Sequence, residues 1–309
     1  MYVSINPYNP CPCSSGQKAK FCCLNGKKWD KKPTLLTGKT LLVNHSHVRC
    51  YANGLNDCSD KISKEHYISE YLLNNLGNAN TVNIKGLFWQ GYGNVQTMPK
   101  ATLASNILCT RHNKFLSPFD SEMGRFHRTI VEYNQNFELN QPVNEFSLFC
   151  GEDLEKWLLK TVCAFIMSKQ IGVGDKKVEC QMKDIYTEIL FKNRPFPEGW
   201  GLYVDAASDQ TILYHNYLGF NFLVQDESVL YVKMILTGLT FYLVLDTPNN
   251  IKQGMIYRPR GIEIKRNNVR KTLEICWQDK KYKQGVFLTH QKDITKTKDE
   301  WNDFVFSRP

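Results

Sequence analysis

The sequence predicts an α+β protein in three parts: a small cysteine-rich N-terminal knob, a central segment mixing strand and helix, and a β-rich C-terminal portion. Three observations carry this. Seven of the eleven cysteines (Cys11, Cys13, Cys22, Cys23, Cys50, Cys58 and Cys109) fall in the first 109 residues. Apolar residues recur at helical spacing after Gly151. From residue 184 onwards the pattern turns to β-branched and aromatic runs separated by Gly, Asn and Asp. The three segments span residues 1–30, 31–140 and 141–309.

With 309 residues, 42% hydrophobic and 22% charged, the chain has the composition of a globular protein with a sizeable core. No apolar run approaches the roughly 18–20 residues that span a bilayer. The start, MYVSINPYNPCPC, lacks the basic-then-apolar pattern of a secretory signal, so a cytoplasmic protein with no membrane association is expected. The net charge of +9 is unevenly placed: residues 1–64 carry ten Lys/Arg against Asp30, Asp57 and Asp60, a net +7. Such a region fits a nucleic-acid surface and a solvated basic linker equally well.

At the N-terminus, NPCPCSSGQKAKFCC sets Cys11, Cys13, Cys22 and Cys23 in a C-x-C-x8-C-C pattern. Four thiolates this close complete a tetrahedral zinc site unaided, and some twenty residues need the metal for order because they cannot bury a core. Gly16 allows the turn between the pairs, and Lys18 and Lys20 offset the thiolate charge. The stretch NGKKWDKKPT that follows reads as a linker. The remaining cysteines (Cys150, Cys163, Cys180 and Cys276) read as small core residues.

In the central segment, Cys50 and Cys58 precede SKEHYISE, and Cys109-x-x-His112 follows it. Two ligands from a loop and two from a later knuckle make a Cys3His zinc site, which would bring Glu65-His66 beside Asn113. A carboxylate and an amide oxygen suit a hard cation such as Mg²⁺ or Mn²⁺, and an imidazole suits proton transfer. Alone, Glu65-His66 reads as a surface pair on a helix; beside the two cysteine knuckles it reads as a site. His112 either completes the zinc set or serves another metal or substrate. PFDSEMGRFHRTIVEYNQ reads as a helix with Ser117 as N-cap, Pro118 at the first position and Asp120 as a capping acid or further metal ligand. His127 reads as a packed histidine or a phosphate contact, and His45 and His47 as loop residues or substitute ligands.

In the C-terminal segment, Leu154, Trp157, Leu158, Thr161, Phe165 and Ile166 mark an amphipathic helix. ILYHNYLGFNFLV, VLYVKMILTGLTFYLVLD and TLEICWQ predict strands of a sandwich or curled sheet. YRPRGIEIKR and KKYKQG place basic groups near aromatics, either lining a nucleic-acid surface or protecting a sheet edge. No nucleotide-binding loop, G-x-S-x-G elbow or H-E-x-x-H pair is present.

Two family resemblances follow from these motifs. NPCPCSSGQK…CC resembles the SEC-C motif, which implies a zinc knob that docks a protein partner or contacts nucleic acid. The segment from Cys50 to Ser117 resembles an HNH endonuclease of the zinc-braced ββα-metal type. That resemblance implies Glu65 and Asn113 as ligands of a catalytic Mg²⁺ or Mn²⁺, and His66 as the general base. It also implies Cys50, Cys58, Cys109 and His112 as the structural zinc brace. It departs from the family pattern in its C-x7-C spacing, in Ser69 where proline is usual, and in His112 for cysteine. The implied activity is phosphodiester hydrolysis in DNA, with RNA as an alternative, in restriction or anti-phage defence and with a possible homodimer. The rival reading is a non-catalytic zinc adaptor that docks nucleic acid or a protein.

Overall fold

The computed structural model describes residues 6–291, apart from 37–43, 79, 88, 91–93, 140, 174–175, 207–210, 213–216, 247–253, 280 and 282. The described residues form a mixed α+β fold. In the knob, β1 (Leu24–Asn25) and β2 (Lys28–Trp29) make a small ribbon. The centre holds β3 (Ile62–His66), α1 (Glu70–Leu76), β4 (Thr81–Lys85), β5 (Val95–Pro99), β6 (Ala104–Cys109) and the long α2 (Thr110–Phe137). Then come β7 (Glu145–Cys150), α3 (Gly151–Met167), a ribbon of β8 (Gly172–Val173) and β9 (Lys176–Lys177), and α4 (Asp184–Phe191). The strands that follow are β10 (Gly201–Asp205), β11 (Thr211–Ile212), β12 (Leu218–Gln225), β13 (Ser228–Leu236) and β14 (Leu239–Val244). Last are β15 (Met255–Tyr257), β16 (Gly261–Arg266), β17 (Val269–Cys276) and β18 (Gly285–His290).

Two large sheets result, ordered β15-β10-β14-β13-β12-β4-β5 and β11-β18-β16-β17-β7. The expected β-rich half is therefore two sheets, one of which takes β4 and β5 from the central segment by parallel pairing of β4 with β12. Hairpin β13–β14 closes through Thr237 and Gly238, both at positive φ (48° and 90°), the two-residue turn whose twist matches its strands. Phe126 of α2 meets Phe149 of β7 at 4.9 Å and Phe241 of β14 at 5.8 Å, so helix side chains join the two sheets.

Four sequence expectations need correction. Residues 184–191, expected to open the β-rich run, form helix α4, with Tyr186, Ile189 and Leu190 buried at helical spacing, and the strands resume at Gly201. Helix α2 starts at Thr110, directly after β6, with Cys109 as N-cap; Ser117 and Pro118 lie inside it. Pro118 removes the N–H that would bond the Lys114 carbonyl, and Ser117 Oγ donates to that same oxygen at 2.9 Å. The hydroxyl thus replaces the missing backbone donor, and the helix continues through the proline.

Helix α3 is buried on every side rather than amphipathic, because each of its inward charges has a partner. Asp153 accepts from Thr34 N (3.0 Å) and Oγ1 (2.8 Å), Glu155 takes the Arg258 guanidinium (2.8 and 2.9 Å), and Lys156 reaches Asn193 (3.1 Å). Gly201, at φ 121°, leaves the space Glu155 fills: a Cβ there would lie 2.3 Å from Glu155 Oε1.

The expected linker is docked instead. Trp29 packs on Phe146 with ring centroids 5.5 Å apart, and Lys31 pairs with Glu122 at 2.5 Å. Leu148 N donates to Pro12 O at 3.2 Å, so the knob covers the outer edge of β7.

Candidate metal centres

Residues 9–23 wrap tightly around the first cysteine cluster. Cys11 N bonds Gln17 O (2.7 Å), Ala19 N bonds Asn9 O (2.9 Å), and Ser14 and Gly16 turn at positive φ. Cys13 Sγ lies 3.4 Å from Cys22 Sγ, which lies 3.5 Å from Cys23 Sγ; all four sulfurs fall within 4.8 Å of one another. Tetrahedral zinc with bonds of about 2.3 Å needs sulfurs about 3.8 Å apart, so the set fits. Cys23 and Ser15 hydrogen-bond to the Cys13 sulfur and pull its thiol down to about 4, ready to ligate as thiolate.

The second cluster stands at the junction of β6 and α2. Cys109 ends β6, His112 lies in the first turn of α2, and Cys50 and Cys58 flank a 3-10 turn, Asn53–Leu55, that ends on Asn56 at φ 57°. Tyr51 N bonds Ile107 O at 3.0 Å and ties this loop to β6. His112 Nδ1 faces the sulfurs of Cys109 (3.2 Å), Cys50 (3.4 Å) and Cys58 (3.8 Å). The opposite nitrogen, Nε2–H, donates to Asp57 Oδ1 at 2.9 Å, and Arg111 holds Asp57 Oδ2 from Nε (3.2 Å) and Nη2 (3.0 Å). A carboxylate behind a ligating imidazole fixes its tautomer and orientation, so Asp57 and Arg111 belong to the centre. Burial pushes the His112 imidazole down, favouring the neutral form a metal needs. Both clusters are able to hold a metal ion such as zinc. His45 and His47 stand outside the second one: His45 lies 3.5 Å from Asp60, and His47 Nδ1 accepts from Arg49 N.

Strand β3 pairs antiparallel with β6 and lies beside α2. It carries Glu65-His66 as a strand pair rather than on a helix, and neighbours on a strand point to opposite faces. Glu65 is buried (3% exposed), its Oε1 2.6 Å from Lys160 Nζ; Lys160, 2% exposed, also reaches Asp120 at 2.6 Å. Asp120 thus pairs with α3 and does not cap a helix. Burial holds the Glu65 carboxyl above the usual carboxylate range although Lys160 opposes it. Lys160 stands above the usual lysine range, because Asp120 and Glu65 together outweigh its own burial. His66 is half-buried at the end of β3, and burial pushes its imidazole down. Asn113 sits one residue after His112, and its Nδ2 donates to Ser63 Oγ at 2.9 Å, two residues before Glu65. His127 is fully enclosed, a position from which it touches no phosphate.

Sequence reasoning missed Asp57, Arg111 and Lys160. Asp57 and Arg111 each adjoin a ligand in sequence (Cys58 and His112), which is a usable signal. Lys160 gave none, since a lysine amid WLLKTVCAF shows nothing of two carboxylates that stand 40 and 95 positions away. No protein family matches the sequence, and no curated protein or solved structure is significantly similar to it.

Proposed function

We propose that this chain is a metal-dependent endonuclease of the HNH type, hydrolysing phosphodiester bonds in DNA in the setting of anti-phage defence or restriction. One observation supports this best. The Cys50/Cys58/Cys109/His112 cluster fastens the start of α2 to the end of β6, beside the strand that ends in His66 and one residue before Asn113. A braced ββα unit with an imidazole on its first strand and an amide at the head of its helix provides rigid supports for proton transfer and phosphate chemistry.

His66, kept neutral near pH 7 by burial, takes the proton of the attacking water. Asn113 is held by Ser63 through its Nδ2, and its amide oxygen is the atom that would ligate a hard cation. When bound, Mg²⁺ or Mn²⁺ supplies stabilisation of charge on the phosphate oxygens and the leaving group. Glu65, named by the resemblance as the other ligand, lies on the face of β3 opposite His66 and would have to release Lys160 and turn to serve.

That engagement favours a second reading. A carboxylate buried on an ammonium is a structural tie, and the chain then acts as a zinc-braced adaptor that docks nucleic acid or a partner protein through its knob. Supercoiled plasmid incubated with Mg²⁺ or Mn²⁺, alongside His66→Ala, separates the two. Nicking abolished by the substitution supports the nuclease. Intact plasmid with folded, metal-loaded protein supports the adaptor. Cleavage that survives His66→Ala removes the assigned base.

A further inference from the structure

The outer face of the five-stranded sheet carries a cavity of about 310 Å³, walled at one end by the knob. Its shape follows from strand register. One row across β7, β17, β16 and β18 reads Phe146, Thr272, Glu263, Phe287. The next row reads Leu148, Glu274, Gly261, Gly285, so two glycines leave the floor without side chains. On the other side Arg270 pairs with Lys265.

Three strand spacings separate Phe146 from Phe287, about 14 Å. Trp29 of the knob stands over Phe146, and Phe287 is 49% exposed, which is unusual for a phenylalanine in the middle of a strand. A Cβ on Gly285 would lie 3.2 Å from the Phe287 ring and 3.4 Å from Arg260 Nε, so that ring and that guanidinium border the bare floor.

We propose that this groove binds single-stranded nucleic acid, with bases stacked at the Trp29/Phe146 end and on Phe287, and phosphates on Arg270 and Lys265. Flat aromatic surfaces at two ends accept bases only when these are unpaired, which excludes a duplex. The carboxylates Glu263 and Glu274 disfavour an acidic peptide and instead accept the exocyclic amino groups of bases. Glu263 is steadied by Lys265 at 3.3 Å, and burial raises the Glu274 carboxyl against the pull of Arg260. In the adjoining knob and strap, residues 6–36, Lys31 is neutralised by Glu122 and Lys32 by Asp30, which leaves Lys18, Lys20, Lys27 and Lys28 with no further acid in that segment, a field that draws a polyanion to this end of the molecule. This site is separate from the Glu65–His66 strand and does not rest on the nuclease reading.

The test is fluorescence anisotropy of a short labelled single-stranded DNA, and of its RNA counterpart, in magnesium-free buffer. Binding should weaken with salt. It should fall roughly tenfold in Phe287→Ala, recover in Phe287→Tyr, and show a shallower salt slope in Arg270→Glu, with zinc content unchanged throughout. A duplex of the same length should compete poorly. No binding of either strand, equal competition by duplex, or indifference to Phe287→Ala and Arg270→Glu would each overturn the proposal. Because the readout is binding without magnesium, an intact plasmid in the cleavage assay counts against the nuclease alone.

Discussion

At the residue scale the least expected group is Lys160. One ammonium is shared by two carboxylates: the cation gains from both anions, while each anion has only part of a cation. This is why Lys160 ends above its ordinary range while Glu65 remains raised by burial. Removing the shared partner leaves the buried Glu65 uncompensated. Lys160→Met should therefore cost roughly 3–5 kcal/mol in urea unfolding, Glu65→Gln distinctly less, and the triple neutral variant Lys160→Met/Glu65→Gln/Asp120→Asn should recover most of the loss. If Lys160→Met unfolds at the wild-type midpoint, the triad does not hold β3, α2 and α3 together. Ligand sets were legible in the sequence because spacing carries them: C-x-C-x8-C-C is local, and Cys109-x-x-His112 closes a knuckle within one helical turn. The triad was not, because its meaning depends on three segments meeting.

The same contrast holds for whole elements. The hydrophobic period correctly placed a helix after Gly151, and aromatic runs placed strands, since local patterning dictates both. What the period could not reveal was that α3 is enclosed all round. Its charges look like a solvent face until Thr34, Arg258, Asn193, Glu65 and Asp120 are seen to meet them. The start of α2 was misread for a different reason. Ser-Pro is a strong start signal, but the hydroxyl of Ser117 makes Pro118 tolerable inside the helix by bonding the Lys114 carbonyl. This coupling is measurable. Ser117→Ala should destabilise by about 1 kcal/mol, and in a Pro118→Ala background, where the backbone N–H returns to bond Lys114 O, the same change should cost little. Equal costs in both backgrounds would show that the hydroxyl does not replace the proline's missing donor.

On the scale of the whole molecule, the two cysteine clusters occupy different places in the core, so losing a metal from each should differ in consequence. Cys50, Cys58 and Cys109 belong to the main hydrophobic core, which runs through α1, α2, α3 and both sheets. Cys11, Cys13 and Cys23 form a small satellite with Leu148 and Cys276 at the edge strand β7. Wild-type protein should carry about two zinc per chain, and Cys58→Ser and Cys22→Ser should each carry about one. Cys58→Ser also leaves the Asp57–His112 pair without the metal it orients, at the point where β6 passes into α2, so most of the cooperative unfolding transition should shift to lower temperature. Cys22→Ser loosens only the knob: the main transition should move by a few degrees, while the β7 edge freed from Pro12 makes the protein prone to self-association. Zinc analysis with scanning calorimetry and light scattering reads all three quantities. A knob variant as destabilised as Cys58→Ser would mean that the knob is part of the folding core rather than a cap on its edge, and the groove beneath Trp29 would then have to be counted within that core.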